Sequence, residues 1–118
     1  MSVDIMKQVK FDGMTESIPE LTELELKVVE CFSHYLNYSN MQDNIYDNAT
    51  FFDFDEIAND TGVSHNILRG VLSSLIKKEL ISIDGCTWYG DTIMNGVGFS
   101  VTYKGLITYY YYFTEEFN

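Results

Sequence analysis

The spacing of apolar and polar positions predicts helices in the first two thirds of the chain. Apolar residues recur at intervals of three and four after Thr22, which forms a capping box with Glu25, and this first helix is expected to run to about Tyr38. A second capping box begins at Asp53, and the short helix that follows covers about residues 54–60. These two boxes define the starts of the helices better than the pattern defines their ends.

A third helix is predicted over about residues 65–79, with Ser64 as its N-cap. Gly62 is expected to end the preceding helix in the left-handed conformation, so that only a short turn separates the two helices. The apolar face of the third helix is broad, and Ile67 and Val71 are predicted to fasten it to the second helix. The residues of this face are Ile67, Leu68, Val71, Leu72, Leu75 and Ile76.

After the third helix the apolar period changes to two, which favours strands. Ile81 and Ile83 alternate with polar neighbours, and an Asp-Gly turn signal follows them. A glycine-containing loop then precedes a returning strand near residues 98–102, so a β-hairpin is expected over about 80–103. The aromatic C-terminal segment suits a strand by propensity, but its spacing favours a closing helix that begins near Lys104.

The remaining segments carry weaker patterns. Residues 1–20 have mixed polarity with a glycine and a proline as breakers, which indicates an N-terminal arm with a short strand at Val3–Phe11. Residues 39–50 are rich in Asn and Asp, which favours turns over a regular element. The expected fold class is therefore α+β, with a three-helix core, a hairpin and a closing helix.

Two segments carry a resemblance to a known family. Residues 52–83, which include FDEIANDTGVSHNILRG and LIKKELI, and residues 101–110, VTYKGLITYY, resemble the winged helix-turn-helix superfamily in the manner of MarR-like regulators. The resemblance covers roughly residues 21–112. It implies a winged-helix domain over 21–118, with the helix-turn-helix at about 53–79 and the β-hairpin as the wing.

The resemblance also implies a DNA-contacting surface, because the second helix of such a motif enters the major groove with its N-terminal residues foremost. Asn can pair with adenine, and Arg with guanine. By position, the candidates for base contact are Ser64, His65, Asn66 and Arg69, with Ser73 weaker and further along. The candidates for phosphate contact are Lys77, Lys78 and, near the base of the wing, Lys104.

Simpler interpretations of the same residues stay open. His65 and Asn66 suit solvated positions beside an N-cap, and cations in a last helical turn favour the helix dipole whatever the function. The run Tyr109–Tyr112 is typical of core packing or a dimer contact rather than of base stacking. Residues 85–98 contain no basic side chain, and Trp88-Tyr89 within them suits either packing or an exposed anchor for a partner.

The distribution of charge supports two different classes of function. The chain has 118 residues with 7 Lys and Arg against 18 Asp and Glu, a net charge of −11 that repels nucleic acid at long range. Yet residues 64–78 carry three basic groups and no acidic one. The first hypothesis is a cytoplasmic DNA-binding transcriptional regulator that binds duplex DNA, either as a monomer or as a homodimer. The alternative is an acidic winged-helix interaction module or inhibitor, of the phage-encoded, nucleic-acid-mimicking kind, that binds a basic protein partner.

Other chemistry finds little support in the sequence. The two histidines fall in different predicted helices, and neither nucleophile–base pairing nor metal-ligand spacing is present, so no catalytic residue, metal or cofactor is expected. The two cysteines show no CxxC spacing and are expected to be reduced and buried. No apolar run has the length of a membrane span.

Overall fold

A computed structural model describes residues 5–11, 13–36, 51–83, 88–89, 92–93 and 98–114. Within these ranges the chain is α+β. The helices are α1 (Glu23–Glu30), continued by a 3₁₀ helix (Cys31–Tyr35), α2 (Phe54–Thr61), α3 (His65–Lys77) and α4 (Tyr103–Phe113). The strands are β1 (Ile5–Phe11), β2 (Met14–Pro19), β3 (Phe51–Asp53), β4 (Ile81–Ile83), β5 (Trp88–Tyr89), β6 (Thr92–Ile93) and β7 (Gly98–Val101).

Both predicted capping boxes are confirmed. The Thr22 hydroxyl accepts from the Glu25 amide at 3.2 Å, and the Glu25 carboxylate accepts from the Thr22 amide at 2.8 Å. Asp53 and Glu56 make the same reciprocal pair at the start of α2. Gly62 ends α2 with φ 71°, as the sequence predicts, because its missing Cβ permits the left-handed conformation.

Two helix ends differ from the prediction. The first helix tightens to 3₁₀ geometry after Glu30 instead of continuing as an α-helix. The third helix ends at Lys77, not at Glu79, because Glu79 adopts φ 66° and turns the chain. The turn is closed by two backbone bonds, from the Glu79 amide to the carbonyl of Ile76 (2.9 Å) and from the Leu80 amide to that of Leu75 (3.0 Å).

A three-stranded antiparallel sheet of order β3-β7-β4 joins the helices. The predicted hairpin partners are β4 and β7, paired through Ile81↔Val101 and Ile83↔Phe99. Strand β3, which pairs with β7 through Phe52↔Phe99, was not predicted because three residues are too short to show alternation. Strands β5 and β6 form a separate two-stranded pair within the predicted wing.

The described part of the N-terminal segment forms a docked hairpin, in which β1 matches the predicted strand and β2 was not predicted. Strands β1 and β2 pair antiparallel, and Val9 and Ile18 are buried. The hairpin packs against α4, where the Tyr112 hydroxyl donates to the Pro19 carbonyl at 2.8 Å. The Lys7 ammonium also lies 6.0 Å from the centre of the Tyr111 ring.

The core lies between the helices and the sheet. Phe32, Phe52 and Phe99 are buried and stack in sequence, with ring centroids 6.0 and 5.3 Å apart. Tyr110 of the aromatic run is buried, and its neighbours are half-buried against the core, so this run packs the protein. The prediction for Ile67 was wrong, since its side chain is 54% exposed and does not fasten α3 to α2.

Leu80 and Gly105 meet where the sheet enters α4. The Leu80 carbonyl accepts from the Thr102 amide at 3.0 Å, and the Thr102 hydroxyl caps α4 by accepting from the Gly105 amide at 3.0 Å. A Cβ on Gly105 would lie 2.0 Å from the Leu80 carbonyl oxygen. The glycine is therefore required by close approach of two backbones.

Some predictions lie outside the described residues. They concern the turns at 39–50, the Asp84-Gly85 turn, Cys86 and most of the wing tip. The first helical segment is described to its end, which comes at Tyr35 and not near Tyr38, because Leu36 is extended.

Candidate nucleic-acid interface

Helix α3 presents a continuous exposed face. Asn66, Gly70 and Lys77 are exposed along it, and Ser73 is half-buried between them. Their spacing of three and four residues places these positions on one side, opposite the buried Leu68, which is one of four buried residues of the helix. The predicted polar face of the third helix is thus exposed at His65, Asn66 and Lys77, whereas its members Arg69, Ser73 and Lys78 are half-buried.

The start of this face is organised around a buried ring. The His65 ring stands edge-on to Phe54, with centroids 5.2 Å apart and planes at 87°. The Arg69 guanidinium lies 5.8 Å from the centre of the same ring, and its Nη1 donates to Asn66 Oδ1 at 2.9 Å. Since Phe54 is fully buried, it is a rigid platform that restricts the conformations of His65 and Arg69.

Ser64 precedes this cluster. It occupies the N-cap position of α3 with extended backbone, and its carbonyl accepts from the Leu68 amide at 2.8 Å. Its side chain makes no capping hydrogen bond within α3. The exposed Ser64 hydroxyl is therefore not committed to helix capping, in contrast to the Thr22 and Asp53 side chains at the other helix starts.

Lys78 is separated from this face by a structural role that the sequence did not indicate. Its ammonium lies 2.7 Å from Glu25 Oε1 and donates to the Glu20 carbonyl at 3.0 Å. The side chains of Lys78 and Glu25 are only 16% and 3% exposed. Lys78 therefore joins the end of α3 to the start of α1, and contact with a phosphate would require this ion pair to open.

The Glu25 carboxylate accepts hydrogen bonds from three donors at that junction. Ser74 Oγ donates to Glu25 Oε2 at 2.7 Å, in addition to the bonds from Lys78 and the Thr22 amide. Burial alone would raise the pKa of Glu25, but the hydrogen bonds and the Lys78 charge outweigh it and hold that pKa below its usual value. The carboxylate is thus a fixed anion inside the protein and not part of its outer field.

Lys104 lies apart from the cluster at Phe54. It is half-buried in the first turn of α4, and its carbonyl accepts from the Thr108 hydroxyl at 2.8 Å. Of the eight predicted site residues, the structure brings together Ser64, His65, Asn66 and Arg69 at the start of α3, with Ser73 and Lys77 continuing the same helix. Lys78 and Lys104 are placed elsewhere.

Three of the four acidic groups on or beside α2 have partners within the fold, and the fourth, Asp55, is exposed. Asp53 and Glu56 cap the helix, and Asp60 accepts hydrogen bonds from the Tyr35 hydroxyl and from His34 Nδ1, the latter at 3.3 Å. The Tyr35 bond holds the pKa of Asp60 below its usual value, while burial and the same contact raise the pKa of Tyr35. These carboxylates therefore cap and cross-link elements of the fold.

Sequence reasoning missed two members of the exposed face. Ile67 was assigned to the apolar face but is exposed, and Gly70 was not singled out at all. Gly70 has an ordinary helical φ, and a Cβ built on it would meet nothing within 4 Å. A glycine inside a strong helical pattern was the available signal, because helices disfavour it.

A shallow groove of about 380 Å³ lies beyond the end of α3. It is lined by Ile76, Glu79, Ile81, Ser82, Ile83 and Thr102. In the part of the chain that the structure describes, no group of His, Cys, Asp and Glu side chains is arranged to hold a metal ion. Cys31, the described cysteine, is free and buried, and burial raises the pKa of its thiol.

Among the described residues, none of the helices is both long enough and apolar enough to cross a membrane. Comparisons with protein families, with curated proteins and with solved structures found no match for this chain.

Proposed function

We propose that this protein is a winged-helix DNA-binding regulator that contacts base edges in the major groove with α3. The order of elements supports this fold: α1, then α2 and α3 separated by residues 62–64, then the β4–β7 hairpin and α4. This is the order that the resemblance predicts. The observation that carries the function is the assembled cluster of His65, Asn66 and Arg69 on Phe54 at the exposed start of α3.

Preorganisation is what makes this cluster favourable for binding. A guanidinium held against an aromatic ring and a side-chain carbonyl loses less conformational entropy on contact with DNA than a freely rotating one. Arg and Asn are the residue types that pair bidentately with guanine and adenine. Lys77, which is exposed near the C-terminal end of α3, supplies a cation for the phosphate backbone.

The acidity of the chain is compatible with this role because of where the charges lie. Residues 64–78 contain no carboxylate, and Glu25, beside the end of α3, is neutralised by Lys78. On α2, the Asp53 and Glu56 carboxylates are engaged in the capping box. The remaining field is negative, so binding is expected to be weak at long range and to depend on close contacts.

A second candidate is an acidic interaction module that binds a basic protein. The exposed carboxylates favour it, because α1 and α2 present several of them on the surface. These residues are Glu23, Glu30, Asp55, Glu56 and Asp60. In this case the contacts would come from α1 and α2, and α3 would be dispensable.

Selection from a pool of random duplexes at low salt tests the first candidate. We expect one sequence to be enriched and Arg69→Ala to weaken binding to it by about 1–3 kcal/mol, with relaxed specificity at one base pair. Lys77→Ala should weaken all duplexes alike and lower the slope of log K against log salt by about one. Lys10→Ala, which removes an exposed cation from the N-terminal hairpin, is the matched control and should leave binding unchanged.

Two outcomes would reject the proposal. One is a pool in which no duplex is enriched even at low salt. The other is an enriched duplex whose affinity responds equally to Arg69→Ala and Lys10→Ala, because binding would then reflect charge alone. Retention of a basic protein by the chain, abolished by Asp55→Asn and Glu23→Gln but not by Arg69→Ala, would support the second candidate.

A further inference from the structure

Gly70 lies in the middle of α3 without a structural reason for being glycine. Its φ is not positive, it is exposed, and a Cβ built on it would meet nothing within 4 Å. Glycine inside a helix is destabilising relative to alanine, because it has more backbone freedom to lose on folding. Glycine at this position therefore lowers the stability of the helix relative to alanine, and it leaves a strip of backbone without a side chain on the exposed face.

Ile67 flanks this strip. It lies three residues before Gly70, and Asn66 lies four residues before Gly70, so these two residues are the neighbours of Gly70 on either side of it on the helix surface. Ile67 is 54% exposed, which makes it one of four large apolar side chains that are exposed among the described residues, and it is the one within α3. An exposed apolar side chain beside a bare backbone and an amide is a mixed surface, not a continuous hydrophobic patch.

We infer that Gly70 allows α3 to approach the floor of the major groove closely and that Ile67 contacts the 5-methyl group of a thymine there. This inference rests on the proposed DNA-binding function and specifies the class of DNA sequence that the site binds. The edges of base pairs in the major groove offer one apolar group, the thymine methyl, and apolar side chains contact it. Asn66, on the other side of Gly70, is suited to adenine, so the site takes a sequence with adjacent A·T pairs.

The charge of this surface also favours DNA over a protein partner. The Arg69–Asn66 pair lies on one side of Gly70 and Ile67 on the other, and Lys77 continues the exposed face, so this face combines one apolar side chain with cationic and hydrogen-bonding groups. A duplex presents a methyl group, base acceptors and phosphates in that combination.

Replacement of thymine by deoxyuridine tests the contact, because only the methyl group is removed. Each thymine of the selected duplex is replaced in turn, and the dissociation constant is measured by fluorescence anisotropy with the full chain. For the wild-type protein one replacement should weaken binding about fourfold, the effect of one buried methyl. For Ile67→Ala the same replacement should have no effect, whereas Lys77→Ala should weaken both duplexes and preserve the fourfold ratio.

Gly70→Ala tests the close approach separately. It should raise the melting temperature, since alanine is the better helix former, and yet weaken binding to the selected duplex at least tenfold. The inference is overturned if no thymine replacement changes the dissociation constant, or if Ile67→Ala keeps the fourfold ratio. It is also overturned if sedimentation shows that the Ile67→Ala substitution dissociates a dimer of the protein. A duplex that is enriched but insensitive to these changes leaves the proposed function standing, whereas failure to enrich any duplex rejects both.

Discussion

The Lys78 ammonium and the Glu25 carboxylate, 53 positions apart in the chain, lie 2.7 Å from each other and are both largely withdrawn from solvent. Glu25 is at the same time the closing member of the capping box of α1. One carboxylate thus fixes the start of α1 and anchors the end of α3 to it. Removal of either partner leaves the other as a buried charge without compensation.

Lys78→Met is accordingly expected to destabilise the fold by about 3–5 kcal/mol, because it leaves the buried Glu25 carboxylate without its counter-charge. Urea denaturation followed by circular dichroism measures the change. Lys77→Met is the matched control, since Lys77 is the exposed neighbour on the same turn and should shift stability by about 0.5 kcal/mol or less. Equal losses for the two variants would contradict the structural role of the ion pair.

The same pair predicts a pH dependence. The pKa of Glu25 is lower in the folded chain than its ordinary value of 4.5, so the ionised carboxylate stabilises the fold at neutral pH. This contribution is full above the unfolded-state pKa and is lost as pH falls through the lower folded-state pKa.

Unfolding free energies of wild type and Glu25→Gln, measured from pH 7 to pH 3, check the direction. The difference between the two proteins should be largest at pH 7 and should shrink below about pH 4.5. A difference that grows on acidification would mean that Glu25 is protonated more easily in the folded state than in the unfolded state.

Gly105→Ala is expected to cost about 3 kcal/mol or more, because the new Cβ would lie 2.0 Å from the Leu80 carbonyl oxygen and backbone must move. Thermal melting compares it with Gly70→Ala, the same substitution in open space, which should stabilise by about 1 kcal/mol. If both glycines tolerate alanine equally, the close approach of Leu80 and Gly105 is not maintained in solution.

Glu79→Gly should stabilise the protein by about 1 kcal/mol, because Glu79 adopts φ 66°, a conformation that glycine takes without steric cost. A rise of about 4 °C in melting temperature is the expected reading. Glu79→Ala separates this effect from the loss of charge, since alanine retains the Cβ. A similar rise for Glu79→Ala would assign the gain to electrostatics instead.

Local signals were sufficient for the helix starts and for the α+β class. Capping boxes at Thr22 and Asp53 and the left-handed turn at Gly62 depend on residues within four positions of one another, so sequence carries them completely. The end of α3 was misjudged because Glu79 takes the left-handed turn that glycine usually marks.

Long-range relationships could not be found in the same way. The helical period assigned Ile67 to the core, but period alone does not say how wide the buried face is, and the packing of α3 leaves this residue exposed. Lys78 looked like a surface cation because its partner, Glu25, lies on another helix. Strand β3 is defined by its pairing with β7, and a segment of three residues is too short for the sequence to predict that pairing.

The hairpin of β1 and β2 has a consequence for the order in which the protein can fold. It is the first described element to leave the ribosome, and its partner α4 is the last, with 93 positions between the bonded Pro19 carbonyl and Tyr112 hydroxyl. The apolar side of the hairpin therefore stays uncovered by α4 until the residues between the two elements have been synthesised. This packing is therefore a late, long-range step of folding, in which two elements far apart in the chain close on each other.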